Sequence, residues 1–240
     1  MELTNNAASR GVSPFAAVIS MFYEPGKTFA ALEHRRGTWL PLLLLMASTA
    51  ILMLWYFSSV DIDWLKEQMF AAVKDPGQRA KSMEVVSRNM LMFGAIGQAV
   101  IGLPIFLALI GLYFMFVGKI YAKDFTFGKG FSLATWTSVP ALLTLLLGGT
   151  AILLSKGGQV ALGDLNPLSL NALLFHRPMG DPLSSLFESI SLLTVWSAVL
   201  MVIGFQAWAR VPRATAIKVV VIPYLVIYGV WLAIALLRAA

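Results

Sequence analysis

The sequence predicts an all-α integral membrane protein with five transmembrane helices and short amphipathic interfacial helices. The first observation is composition: the 240 residues are 58% hydrophobic and only 12% charged. Soluble domains carry about 25% charged residues and about 45–50% apolar ones. The second is a mean hydropathy of +0.78. The third is pattern. Five stretches free of Asp, Glu, Lys and Arg run through the chain, each long enough for the roughly 20 residues that cross a bilayer as a helix. The alternation of apolar and polar residues that a membrane barrel needs is absent from them.

The N-terminal segment, residues 1–37, is polar at its start and then reads FYEPGKTFAALEHRRG. After the Glu24-Pro25-Gly26 turn, Thr28, Phe29 and Leu32 with the basic end His34, Arg35 and Arg36 predict a short helix in the headgroup plane. A solvated linker with one helical turn is the equal alternative. The membrane domain then occupies residues 38–238, with spans at about 38–60, 90–118, 131–155, 186–208 and 218–237. The first span follows a long polar segment and lacks a small-x-small cleavage site, so it reads as an uncleaved anchor. Between the first two spans, Asp63 is a plausible N-cap for a helix carrying Trp64, Leu65 and Met69. Asp75-Pro76-Gly77 stops it, and a second helical stretch runs from Arg79. Between the third and fourth spans, Asn166-Pro167 predicts the start of a short interfacial or re-entrant helix over LSLNALLF.

Basic residues divide ten against eight between the two sides of the membrane. The short loops KIYAKDFTFGK and ARVPRATAIK are mainly basic beside span ends, so the N-terminus is expected in the cytoplasm and the C-terminus outside. The expected location is a bacterial cytoplasmic membrane.

Polar residues within the spans are few, and each is weighed as a functional candidate. Glu188 abuts the fourth span. Ser185-Leu186-Phe187-Glu188 fits a capping box with Glu188 at the third helical position, which competes with a transport or proton-coupling role. Gln98 is the most deeply placed amide. Ala95, Ala99 and Gly102 fall on one stripe beside it, so helix packing is favoured over substrate binding. Pro104, Pro140 and Pro223 each kink a span and free a backbone carbonyl. Arg210 and Arg213 lie in the basic turn between the last two spans. Zero cysteines and two distant histidines, His34 and His176, exclude a thiol nucleophile and a Cys-based zinc site. No metalloprotease, hydrolase or phosphate-loop motif is present. No catalytic, cofactor or metal residue is therefore expected, and the chain is expected not to be an enzyme.

Three stretches carry a family resemblance: YEPGKTFAALEHRRGTWLPLLLL, FTFGKGFSLATWTSVPALLTLLL, and LFESISLLTVWSAVLMVIGFQAWARVPRATAIKVVVIP. The chain resembles the Yip domain family, named for the Ypt- and Rab-interacting proteins, in its bacterial branch. The resemblance implies five spans with a cytosolic N-terminus. Eukaryotic members are linked to Rab-type GTPases and vesicle traffic through a long cytosolic region. With about 37 residues before the first span, Rab-type GTPase binding is not expected.

The expected function is a scaffold or accessory subunit of a membrane complex, with a bilayer-organising role. Its partners would be membrane lipid and another membrane protein or a second copy, not nucleic acid. The alternative is a transporter or lipid-handling protein, supported by the kinked spans and by Ser132, Thr135, Thr137, Ser138 and Thr144 in the third span.

Overall fold

The computed structural model describes residues 13–33 and 37–239. The basic end expected at His34, Arg35 and Arg36 lies outside the described residues. Those described are helices and turns, and their β-type pairing is an isolated bridge between Ser169 and Ser191. The chain is an all-α membrane protein. Four helical segments are long and apolar enough to cross a bilayer: α3 (Trp39–Ser59), α6 with α7 (Arg88–Gly97 and Leu103–Tyr121), α11 (Leu192–Ala209) and α12 (Arg213–Ala239). A fifth crossing results if α8 (Phe127–Thr137) and the stretch Val139–Leu154, which ends in α9 (Leu143–Leu154), form one span; the pair is bent by 41°.

The bend has a local cause. Pro140 has no N–H to return to the carbonyl four residues back. The chain tightens into a 3-10 turn over Val139–Leu142, and the Ser138 N–H bonds Thr135 O at 3.2 Å. A second irregularity precedes Pro104, where Gln98–Gly102 form a π-turn and the Leu103 N–H reaches back to Gln98 O. Such bulges widen a helix by one residue near a missing donor.

Several of the shorter helices begin at side-chain caps. Asp61, not Asp63, caps α4 (Ile62–Met69), its Oδ1 accepting from the N–H groups of Asp63 and Trp64. Both acids suit the position, and the one before the first helical turn takes it. Asp75 opens α5 (Pro76–Val85), so Asp75-Pro76-Gly77 is a helix start and not the stop of α4, which ends earlier at Met69. Asn166-Pro167 opens no helix; the segment behind it instead makes one π-turn over Asn171–Phe175. The expected span at 186–208 is also divided. The chain leaves α10 (Ser184–Ser189), pairs at Ser191 with Ser169, and only then enters α11.

By packing, the described residues group into two compact units that interleave in sequence. One holds residues up to 43, 106–139 and 197–220; the second holds 44–105, 140–196 and the residues from 221 on. In the first, α8 is the central element, with Lys129, Gly130 and every residue from Ser132 to Thr137 buried. Glycine permits the closest approach: a Cβ on Gly130 would lie 2.2 Å from the Gly111 carbonyl oxygen, and one on Gly111 2.8 Å from Phe131 Cα. Around this contact Phe114 and Phe125 pack on Phe205 at centroid distances of 5.5 and 5.8 Å. Helices α1 (Pro14–Ser20) and α2 (Pro25–Leu32) belong to the same unit. Thr28, Phe29 and Leu32, the apolar face read from the sequence, are buried, with the Phe29 ring set edge-on to Trp208. In the second unit Tyr56, Phe57 and Leu65 form a core with Ile152, Val160 and Leu165.

Gly130→Ala should therefore cost about 1–3 kcal/mol through forced separation of two backbones. Gly229→Ala, where nothing lies within 4 Å of the added carbon, should lose nothing. Thermal unfolding in detergent followed by size-exclusion chromatography distinguishes them, and equal losses would contradict the packing described.

Candidate functional site

The segment from Ser155 to Ser191, in the second unit, folds as a cap held by its own polar groups. The buried Asn171 amide clamps one turn: its Nδ2 donates to Arg177 O at 3.0 Å and its Oδ1 accepts from Arg177 N at 2.9 Å. The Arg177 guanidinium bonds Asp181 at 3.0 Å. Asp181 Oδ1 also accepts from Leu183 N at 2.8 Å, and these contacts hold its carboxyl below the ordinary carboxylate range, the backbone bond foremost. Leu168 and Leu170 exchange backbone bonds with Leu192 and Ile190 at 3.1 and 2.7 Å across the Ser169–Ser191 bridge.

Glu188 lies in this cap. The capping box read from the sequence is not formed. The Asp181 turn starts α10 two residues early, with Leu183 at the N-cap and no side-chain cap bond. Glu188 instead packs half-buried over Gly163, where a Cβ would come within 2.5 Å of its Oε1. Burial pushes its carboxyl above the ordinary value, and the negative charge of Asp164 adds to the shift. Asp164 is held by its own bond from Ala161 N at 3.1 Å.

The turn Leu162–Leu165 that carries Gly163 also borders a cavity of about 240 Å³, reached by the polar side chains of Ser48, Thr49, Thr144 and Asn166. Ser48 and Thr49 spend their protons on Leu45 O, at 3.1 and 2.9 Å. Asn166 Oδ1 is buried and unpaired among the described residues. Acceptors predominate here, so the cavity suits water or a small neutral donor. Among the described residues no group of three or more His, Cys, Asp or Glu side chains is placed to hold a metal.

Gln98 is exposed on its span, and its amide folds over Gly102, where a Cβ would lie 2.4 Å from Oε1. Ala99, one step around the helix, is the buried residue, and Ala95 packs against the second unit's core. Pro140 is buried in its 3-10 turn. Arg210 has a left-handed backbone (φ 53°) just past the end of α11, and its guanidinium meets Glu33 at 3.3 Å. Arg213 is the first residue of α12 and is exposed. The two arginines thus share one turn of the first unit, while Gln98, Pro140 and Glu188 belong to the second.

The same turn sits in a unit that also holds Lys27, Lys119, Lys123, Lys129 and Lys218. Lys129 is buried at the start of α8, where the helix dipole disfavours a cation. The exposed Asp124 offsets this by an ion pair, and the Phe125 ring lies 6.0 Å from the ammonium. The hydrogen bond from Lys129, then its charge, holds the Asp124 carboxyl below its ordinary value.

Several polar contacts have no local sequence signal. The hydroxyls that made the third span look suited to transport mostly bond their own helix: Thr135 to Phe131 O at 2.8 Å, Thr137 to Leu133 O at 2.9 Å and Ser138 to Ala134 O at 2.8 Å. Ser132 Oγ is an exception, and it and the Trp136 indole Nε1 are buried and unpaired among the described residues.

Comparison with known proteins places these features in a family. A family model described as the Yip1 domain matches residues 19–234. The membrane protein YknW of Bacillus subtilis (strain 168) is 26% identical over 207 residues, covering 86% of this chain and 82% of its own. No solved structure matches.

The environment of Glu188 makes a signed prediction. A carboxyl whose folded-state value is raised binds its proton more tightly when folded. Its contribution is complete below the unfolded-state value and is lost as pH rises through the folded-state value. Glu188→Gln removes that loss, so at pH 7 the variant should be at least as thermostable as the parent, with a flatter pH dependence on the acid side. Lower stability of the Gln variant at pH 7 would restore the carboxylate as a helix cap.

Proposed function

The chain belongs to the Yip1 domain family, and on that premise we propose that it is a non-enzymatic scaffold or accessory subunit. In this reading it packs within the bilayer against a second copy or another membrane protein and helps to organise the local membrane. The observation that carries the reading is the exposed amide of Gln98. It lies ten residues into the 34-residue Arg88–Tyr121 segment, about 15 Å along the helix, and so well inside an apolar run. An amide facing hydrocarbon is costly, and amides in spans serve to bond neighbouring helices. Gly94, one turn earlier, is exposed with nothing within 4 Å of its absent side chain. Ile101 and Ile105 continue the stripe at 63% and 55% exposure. A neighbouring backbone can approach at Gly94 and meet the Gln98 amide one turn away.

The proposed location is a bacterial cytoplasmic membrane with the N-terminus inside. Sidedness is supported by sequence: the short loops KIYAKDFTFGK and ARVPRATAIK are mainly basic beside span ends, and the long loops carry no net charge. The positive-inside rule puts the basic group in the cytoplasm.

A transporter is the second reading, favoured by the hydroxyl- and amide-bordered cavity of about 240 Å³. The local bonds of Thr135, Thr137 and Ser138 weigh against it, because these hydroxyls are already satisfied within their own helix.

The chain has no native cysteine, so Gly94→Cys supplies a unique thiol in that stripe. Copper-phenanthroline oxidation in native membranes should trap a disulfide-linked dimer, or a benzophenone maleimide at the same thiol should trap a partner protein. Adding Gln98→Leu should weaken the association about 5- to 30-fold, the range expected for one bond of about 1–2 kcal/mol between membrane helices. No adduct with either reagent, from a protein recovered only as a monomer in native-lipid nanodiscs, would overturn the reading.

A further inference from the structure

Helix α1 presents an apolar face outward. Phe15 is 65% exposed, Ile19 63% and Tyr23, just past the helix end, 68%. Their spacing of four residues puts them on one side. Ala17 and Met21, on the opposite side, are buried in the protein. The sequence pointed instead to the next helix, α2, as the one in the headgroup plane. The apolar face of α2 is taken up inside the protein, with Thr28, Phe29 and Leu32 buried.

Position fixes what surrounds the exposed face of α1. A Cβ on Gly204 would lie 2.8 Å from the Phe29 ring, and Phe29 O accepts from Trp208 Nε1 at 2.8 Å. Gly204 and Trp208 lie in the last turns of the span α11, so α2 sits beside the end of that span. Glu33, after α2, meets Arg210, just past α11, at 3.3 Å. Thr28 then bonds Ser20, the last residue of α1, at 2.8 Å. At the other end of α1, Ser13, Pro14 and Ala17 border a cavity of about 140 Å³ together with Gly37, two residues before the first span begins at Trp39. Both ends of α1 are thus tied to places where a span begins or ends. The helix lies along the membrane boundary, not out in water.

Composition agrees. Residues 13–23 include no Asp, Glu, Lys or Arg, whereas α4 and α5, in the long loop after the first span, carry three such residues each. A helix built for water carries charge on its outer face. An apolar run of about 10–14 residues is too short to span and fits an interfacial segment. Lys27, the first cation that follows, is paired with Glu24 at 3.0 Å.

We propose that the Phe15, Ile19 and Tyr23 face of α1 inserts into the interfacial layer of the protein's own membrane. The occupant of the face is the zone where headgroups give way to acyl chains. The contact is driven by apolar burial and needs no anionic lipid. It is independent of the packing stripe around Gln98 and holds for a scaffold and a transporter alike.

The test uses the full chain, which has no native cysteine. Ile19→Cys carries a single environment-sensitive NBD fluorophore, and Lys27→Cys, at an exposed position on α2, carries the reference. Each is placed in dioleoyl phosphatidylcholine nanodiscs, which leave both membrane faces open to solution. Quenching is read with a lipid bearing a nitroxide near its ester and with aqueous iodide. The Ile19 label should be quenched by the nitroxide lipid about twofold or more over the reference, as befits a group ~5–10 Å into the layer, and should be shielded from iodide. Adding phosphatidylglycerol should leave both readings unchanged. Phe15→Cys, on the same face, serves if Ile19→Cys does not fold. An Ile19 label that iodide reaches as readily as the reference overturns the proposal. So does one shielded from both quenchers, which marks a protein partner or a second copy on the face, and so does lipid quenching that appears only with phosphatidylglycerol.

Discussion

Every backbone carbonyl that a proline or a helix break frees inside this protein must find a donor within the protein, because the bilayer offers none. Pro223, inside α12, cannot donate to Val219 O, and the Tyr113 hydroxyl supplies that bond at 2.6 Å. The break after α10 exposes Ser189 O, which receives the hydroxyls of Thr194 at 3.1 Å and Tyr228 at 3.4 Å. Tyr56 donates to Val160 O at 2.9 Å, Trp208 to Phe29 O at 2.8 Å, and Arg88 to Phe57 O. Each such bond contributes about 1 kcal/mol net, and losing it from a dry site costs more.

This requirement explains the use of aromatic residues with a polar end. Tyr and Trp fill space between apolar helices and deliver one donor at the far end of a rigid ring. Trp208 does both, packing edge-on to Phe29 and bonding its carbonyl. Glycines do the complementary work. Where Gly111 and Gly130 meet, the helices approach so closely that backbone contact replaces side-chain contact. The scaffold reading follows from a place where the requirement is not met inside one chain. The Gln98 side chain is exposed on its span, and the Trp136 N–H is sealed without an acceptor among the described residues.

Much of the fold was legible because hydropathy and proline act locally. Four long apolar helices coincide with charge-free stretches, and the bend at Pro140 follows from a missing donor. Features set by distant residues were not legible. The Ser185–Glu188 pattern is a sound local cap, yet the Asp181 turn captured the helix start. The division between α10 and α11 depends on a bridge to Ser169, more than twenty residues earlier, which leaves no mark on the apolar run itself. Asp61 and Asp63 are equivalent by type, and only backbone geometry separates them. Of the candidate residues, Gln98 and Glu188 stand out by polarity in an apolar context. Trp136 does not, since a tryptophan in a span reads as core until its N–H is found without an acceptor.

The central claim, that side chains replace the donors removed by proline, is tested most directly by a double-mutant cycle between Tyr113 and Pro223. Tyr113→Phe should destabilise the parent by about 1–2 kcal/mol in thermal unfolding. In the Pro223→Ala background the restored N–H takes Val219 O, and the same substitution should cost much less. An equal loss in both backgrounds would contradict the account.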